Sequence, residues 1–293
     1  MHRILIGLMV WPVFGASLDS RVHDAIDRFS GTVYLYAKNL DTGQTYGLRE
    51  NERVRTASTI KLPIMAGLFA AAAEGRVKWN DEIVLRGDDK VSGSGVLHEF
   101  SDGIRIPIRD VMHLMIVLSD NTATNLILDR IGADTVNAEM DKLGLKQTRS
   151  MRKVRGDGNQ LKEPSGWSTA GRLPENQKFG IGSSTPKEMV LLLEKIDKGE
   201  VVSAEASKEM IAVLKRQQDQ DGIRRKFQEV PVADKTGSLD ALRSDVGIVY
   251  SPKGRIAMAI TCDGMAKPDY GPENPGAVLI SELAVVLVDG LGK

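Results

Sequence analysis

Ser58 and Lys61 stand three residues apart at the head of the apolar run Leu62 to Ala73. A helix there carries both side chains on one face, one turn apart, so that an amine can approach a hydroxyl. An unassisted serine hydroxyl is a poor nucleophile. A lysine can take its proton only if burial or a neighbouring cation lowers the amine from its usual value of about 10.4. The start of a helix adds free N–H groups where an oxyanion could form. Alone the pair is weak, because a chain of this length carries roughly one Ser-x-x-Lys by chance. Two further tripeptides change the odds. Ser119-Asp120-Asn121 follows the helical run Ile108 to Leu118, and Lys235-Thr236-Gly237 precedes a strand-like stretch. Each is expected by chance only about 0.05 times in such a chain.

In this order the three motifs resemble those of the penicillin-interacting serine enzymes, most closely the class A β-lactamases. The likeness continues through Asn121-Thr122-Ala123-Thr124-Asn125-Leu126, through Ser238 after the glycine, and through Arg243-Ser244-Asp245 beyond it, over about residues 30 to 290. It implies that Ser58 is the acylated nucleophile and Lys61 a candidate proton acceptor, with a carboxylate acting through water as the other candidate. It implies that Ser119 relays a proton to the leaving nitrogen and that Asn121 positions Lys61 and the substrate amide. Lys235 and Thr236 would bind the substrate carboxylate, with Arg243 as a second carboxylate-binding group or a plain solvent-facing turn residue. Gly237 would leave room along the strand, and the Ser238 N–H would join the Ser58 N–H in the oxyanion hole. Asp120 is read as structural, and Gly93-Ser94-Gly95 as a loop at the mouth of the cleft.

The elements that must position these groups follow from periodicity. Helical spacing predicts elements over Leu18 to Phe29, Leu62 to Ala73, Ile108 to Leu118, Thr122 to Ile131 and Thr135 to Leu143. Thr185-Pro186-Lys187-Glu188 reads as a capping box opening a helix to Ile196; Ser203 to Leu214 and Gly276 to Leu287 are further helices. Strand patterns fall at Thr32 to Ala37, Gln44 to Leu48, Val232 to Thr236, Val246 to Tyr250 and Ile256 to Cys262. Strands at both ends of the chain around a helical middle predict one sheet built from both ends. The resemblance implies an α+β fold, an antiparallel sheet flanked by the terminal helices and packed on an all-helical domain. Residues 17–57 and 222–293 would form the first part and 58–221 the second, with the site in the cleft between them.

Composition bounds the rest. The 293 residues are 42% hydrophobic, enough for a real core, and 39 basic residues balance 39 acidic ones. No net field argues for nucleic acid or an anionic membrane, so the expected partner is a small molecule, a β-lactam or cell-wall peptide, met by a monomer. Met1 to Ala16, with its apolar run Ile4 to Phe14, reads as a secretory signal peptide, which implies a periplasmic or secreted protein. No stretch after it is long enough to span a bilayer. Cys262 is the single cysteine, placed in a strand pattern where it serves as a small buried side chain. The four histidines lack metal-ligand spacing, and neither metal nor cofactor is expected.

One region departs from the resemblance. In class A β-lactamases a loop glutamate activates the water that clears the acyl-enzyme. Direct placement from Thr148-Arg149 puts Lys153-Val154-Arg155 where that glutamate belongs. Glu163-Pro164 resembles the family's Glu-Pro but arrives late, and Glu175-Asn176 is the other candidate. With a deacylating carboxylate the protein turns over β-lactams. Without one it is a D-alanyl-D-alanine carboxypeptidase or transpeptidase, or a sensor that keeps the acylation pocket.

Overall fold

The structure, a computed structural model, describes residues 16–155 and 166–292. Its centre is a five-stranded antiparallel sheet of β1 (Thr32–Asn39), β2 (Thr45–Leu48), β3 (Val232–Leu239), β4 (Leu242–Ser251) and β5 (Gly254–Asp263), in the spatial order β2-β1-β5-β4-β3. The first and last strands of the chain meet at the centre, Thr32 opposite Asp263 and Asn39 opposite Ile256. β3 and β4 pair from Val232–Val249 to Leu239–Leu242, leaving Asp240 and Ala241 as a two-residue turn.

The alternating burial of β1 sorts its side chains between two cores. On one face α1 (Leu18–Ile26) and α8 (Pro275–Leu291) pack over Leu35, Val249, Met258, Ile260 and Cys262. The other face carries Ala233, Val246, Ile248, Ala257 and Ala259 into a larger core, shared with α2 (Lys61–Ala73), α3 (Ile108–Val117), α4 (Asn121–Ile131), α5 (Ala133–Lys142), α6 (Pro186–Asp197) and α7 (Ala204–Leu214). Among these, α6 lies directly against β1, β4 and β5. The apolar run after Ser58 is, as its composition requires, a helix buried on all sides from Lys61 to Ala71. Gly67 in its middle admits the neighbouring helix. A Cβ there would stand 3.1 Å from Val136 Cα in α5.

Two local expectations are corrected. Ser58 is not in the first turn of α2 but in a 3-10 turn, Ala57–Ile60, that leads into it. At Thr185 the capping box is half formed: the threonine hydroxyl accepts the Glu188 N–H at 3.1 Å. The Glu188 carboxylate instead takes the Gln147 N–H at 3.0 Å and the Thr148 hydroxyl at 2.7 Å, tying the helix start to the preceding loop. No helix among the described residues is long and apolar enough to cross a membrane. The leader reading falls almost wholly on residues 1–15, outside the described ones.

Candidate active site

The 3-10 turn changes how Ser58 and Lys61 are related, because three residues per turn bring positions i and i+3 into line. The turn is closed by the Lys61 N–H donating to Ser58 O. Ala57, just before the serine, holds φ at 46°, a left-handed conformation that costs a side-chain-bearing residue about 1–3 kcal/mol and recurs where function over-determines the backbone. Thr59 anchors the turn, its hydroxyl donating to Thr56 O at 2.7 Å, while Thr56 N donates to Gly182 O.

Lys61 leaves the turn for the interior and is wholly buried. Its Nζ donates to Ser119 O at 2.6 Å and to Asn121 Oδ1 at 3.0 Å, and stands 3.2 Å from Ser119 Oγ. Burial, and then the nearby charge of Lys235, push the amine well below its ordinary value; the Asp120 carboxylate opposes them. A neutral amine has two hydrogens and one lone pair. The two carbonyl-type acceptors use the hydrogens, which leaves the lone pair free to receive a hydroxyl proton.

Ser119 ends α3, where the chain must turn left-handed and glycine is usual, yet a serine holds φ at 53°. Asp120 then caps α4. Its carboxylate takes the N–H groups of Ala123 at 2.8 Å, Val96 at 2.6 Å and Leu97 at 2.8 Å, so its charge is spent on backbone, as the structural reading expects. The Gly93-Ser94-Gly95 loop clamps this motif: Ser94 O accepts the Asn121 N–H, and Ser92 O accepts from Asn121 Nδ2. Gly95 is obligatory, since its φ is +102° and a Cβ would stand 2.2 Å from Asp120 Oδ2.

From the sheet side, β3 delivers Lys235, buried, with Nζ donating to Thr236 O at 2.8 Å. Burial lowers it to about 8, against the raising pull of Asp219, Asp234 and Asp245. Gly237 abuts the Ser58 turn so closely that a Cβ would lie 2.8 Å from Thr56 O and 3.1 Å from Ser58 N. The space it preserves is thus the seat of the nucleophile's turn. Ser238 follows, exposed, on the same strand. Arg243 is buried rather than solvent-facing. Its guanidinium donates to Leu239 O at 2.6 Å, Leu242 O at 2.7 Å and Asp269 O, and lies 4.7 Å from the centre of the Tyr270 ring.

Behind β3, Arg224 pairs with Asp234 at 2.6 Å, and Asp245 takes the Ile223 N–H at 2.8 Å. Burial lifts Asp234 to about 6 and, with Asp234 beside it, lifts Asp245 well above its ordinary value.

Of the two deacylation candidates, only Glu175 falls among the described residues. Glu163 lies outside the described residues. Glu175 is exposed in the turn Pro174–Phe179, and the charge it answers is that of Arg53, which lies over Phe179. Within the directly placed stretch Lys153-Val154-Arg155, Val154 has its N–H and C=O both bonded to the Asn125 side chain, at 2.8 and 3.0 Å. Asn125 and Asp219 are the two positions that motif spacing does not single out. Asn125 is visible in the sequence only as part of the resemblance, and Asp219 only as a loop residue.

The sequence pattern of the Beta-lactamase enzyme family matches residues 17–291. The chain belongs to that family. It is a hydrolase of the serine β-lactamase type, with the α+β fold expected of one. A β-lactamase from Bacillus licheniformis is 25% identical over 275 residues, covering 90% of this chain and 81% of the relative. Among solved structures, a β-lactamase from Sphaerobacter thermophilus superposes with a TM-score of 0.80 at 29% identity, over 94% of this chain and 96% of that one. PBP-A with a leucine replaced by glutamate, solved as an acyl-enzyme complex with penicillin G, has a TM-score of 0.76 at 26% identity, over 93% and 95% of the two chains.

Proposed function

We propose that this enzyme is a secreted hydrolase that opens β-lactam rings through an acyl-enzyme on Ser58. The observation that carries the reading is the Lys61 amine, buried, depressed and held between Ser119 and Asn121 one 3-10 turn from the serine. Ser58 Oγ attacks the lactam carbonyl as its proton passes to Lys61 Nζ. The carbonyl oxygen gathers charge toward the N–H groups of Ser58 and Ser238. When the C–N bond breaks, the ring nitrogen takes its proton from Ser119 Oγ, which recovers one from Lys61. Asn121 holds the amine and the substrate amide, and Gly237 seats the turn. Lys235 and Thr236 bind the substrate carboxylate, with Arg243 as a second carboxylate-binding group. Water then cleaves the ester, with Glu163 as the base that activates it.

A second reading has its own support, because direct placement puts Lys153-Val154-Arg155, with Val154 pinned by Asn125, where the family's glutamate belongs. If Glu163 does not supply the base, the acyl-enzyme persists and the protein is a penicillin-binding D-alanyl-D-alanine peptidase. A chromogenic cephalosporin and intact-mass measurement separate the two. The first reading expects rapid colour with unmodified mass, and a Glu163→Gln variant that accumulates adduct. Lasting adduct on the parent, an adduct lifetime indifferent to Glu163→Gln, and shortening by Val154→Glu would transfer the assignment to the peptidase. No adduct and no colour on the parent would refute both.

A further inference from the structure

A second cavity, of about 240 Å³, opens where the short strand Val54–Arg55 passes the end of the turn Pro174–Phe179. None of the groups that meet at Lys61 lines it. Its charged lining is Arg53, Arg55, Lys178 and Asp263, and its aromatic lining is Tyr34 and Phe179. Three cations against one carboxylate leave an excess of two positive charges. Only one cation is matched: Arg55 donates to Asp263 Oδ1 at 2.6 Å. Lys178 is in no ion pair among the described residues, and its ammonium stands 5.2 Å from the centre of the Phe179 ring. The Arg53 guanidinium lies 4.3 Å from the same ring and gives one N–H to Ser183 Oγ at 2.7 Å. Its Nε–H is buried without an acceptor among the described residues, so the protein itself does not fully satisfy this guanidinium. Burial, and then the charge of Arg149, push Arg53 below its ordinary value, while Glu175 and Glu188 oppose them.

The backbone that carries these cations is fixed. Val54 and Arg55 pair with Ser184 and Ser183, and Phe179 is buried. The excess of two charges calls for a dianion. A carboxylate brings one charge and two oxygens in a plane. A phosphoryl group brings nearly two charges near neutral pH and three oxygens, which can reach donors on separate elements at once. Guanidinium forks match that geometry, and a lysine adds a point charge to it.

We propose that this cavity binds a terminal phosphoryl group, free or as a monoester, between Arg53 and Arg55 of the strand and Lys178 of the loop. Arg53-Val54-Arg55 runs directly into Thr56 and the Ser58 turn, so a bound phosphoryl group ties the strand that feeds the nucleophile to the end of the loop. The proposal is independent of the acylation reading. The experiment is titration calorimetry at matched ionic strength and about pH 8, where the group is doubly charged, with inorganic phosphate and with glycerol 3-phosphate. The parent should show one saturable site. Lys178→Met and Arg55→Gln should each weaken it by ~5-fold or more, as loss of one charged contact does. Glu175→Gln removes a carboxylate that competes for Arg53 and should tighten binding by about twofold or more. Damage to the fold lowers affinity, so this opposite sign separates charge from structure. Lys235→Met, in the reaction cleft, should leave the Kd within about twofold of the parent's. Tighter binding of inorganic phosphate identifies the free ion as the ligand, and binding of glycerol 3-phosphate as tight or tighter identifies the end of a larger molecule; each supports the site. Absence of saturable binding of either compound up to about 10 mM overturns the proposal. So does an affinity unchanged in both Lys178→Met and Arg55→Gln, or one lost in Lys235→Met, which would put the anion in the reaction cleft.

Discussion

Gly237→Ala tests how tightly the nucleophile's turn is seated. The added Cβ would lie 2.8 Å from Thr56 O and 3.1 Å from Ser58 N, where carbon normally stands about 3.5 Å or more from such atoms. Both neighbours are backbone, in a turn tied by Thr59 to Thr56 O and by Thr56 N to Gly182 O, so neither can swing aside as a side chain would. Strand or turn must move by roughly half an ångström, an overpacking cost of about 1–3 kcal/mol. In a protein this size that lowers the melting temperature by roughly 2–10 °C. The effect on reaction is larger in proportion, because a misplacement of about 1 Å can cost ~100-fold and the shift falls on the Ser58 amide itself. Acylation by penicillin G, followed by intact mass at 25 °C, should slow by about 10- to 100-fold while the variant stays folded. A variant that acylates within about threefold of the parent would show that β3 does not position Ser58, and the seating account would fail.

Asp120→Ala should destabilise by roughly 3–5 kcal/mol in chemical denaturation, because the buried N–H groups of Leu97 and Ala123 and the partly buried N–H of Val96 lose a charged acceptor at once; a loss under about 1 kcal/mol would contradict its role as the clamp of the Ser94 loop. Lys235 gives opposite signs in two measurements. Its folded value of about 8 lies below the unfolded 10.5, so the penalty for burying its charge is fully present below pH 8 and relieved above 10.5. Stability relative to Lys235→Met should therefore rise between those limits, by up to roughly 3 kcal/mol. Over the same range the acylation rate should fall as the positive charge beside the substrate disappears. Parallel pH dependence of the two quantities would remove Lys235 from its assigned place.

The fold was legible where physical periodicities are strong. The wholly apolar run after Ser58, the alternation in Thr32–Asn39 and the strand patterns late in the chain each admit one reading, and their pairing closes the sheet as expected. Motif spacing also announced the groups that meet at Lys61. Less legible were features decided by tertiary contact. No propensity marks Ala57 or Ser119 for a left-handed backbone, because the strain is sustained by neighbours distant in sequence. Asp219 looked like one polar loop residue among several, since its partner Thr236 lies across the fold. Arg243 could face solvent or cavity equally well until Tyr270 and the Asp269 carbonyl supplied its surroundings.

The pairing of Thr32 through Asn39 with Ile256 through Asp263 has a consequence for synthesis. The strand that must lean on the Ser58 turn is inserted next to a partner made later still, so a ribosome-bound fragment holding the serine has no edge to receive it. Reactivity toward acylating drugs should hence switch on late and abruptly, in the last fifth of translation or after release, instead of growing with chain length.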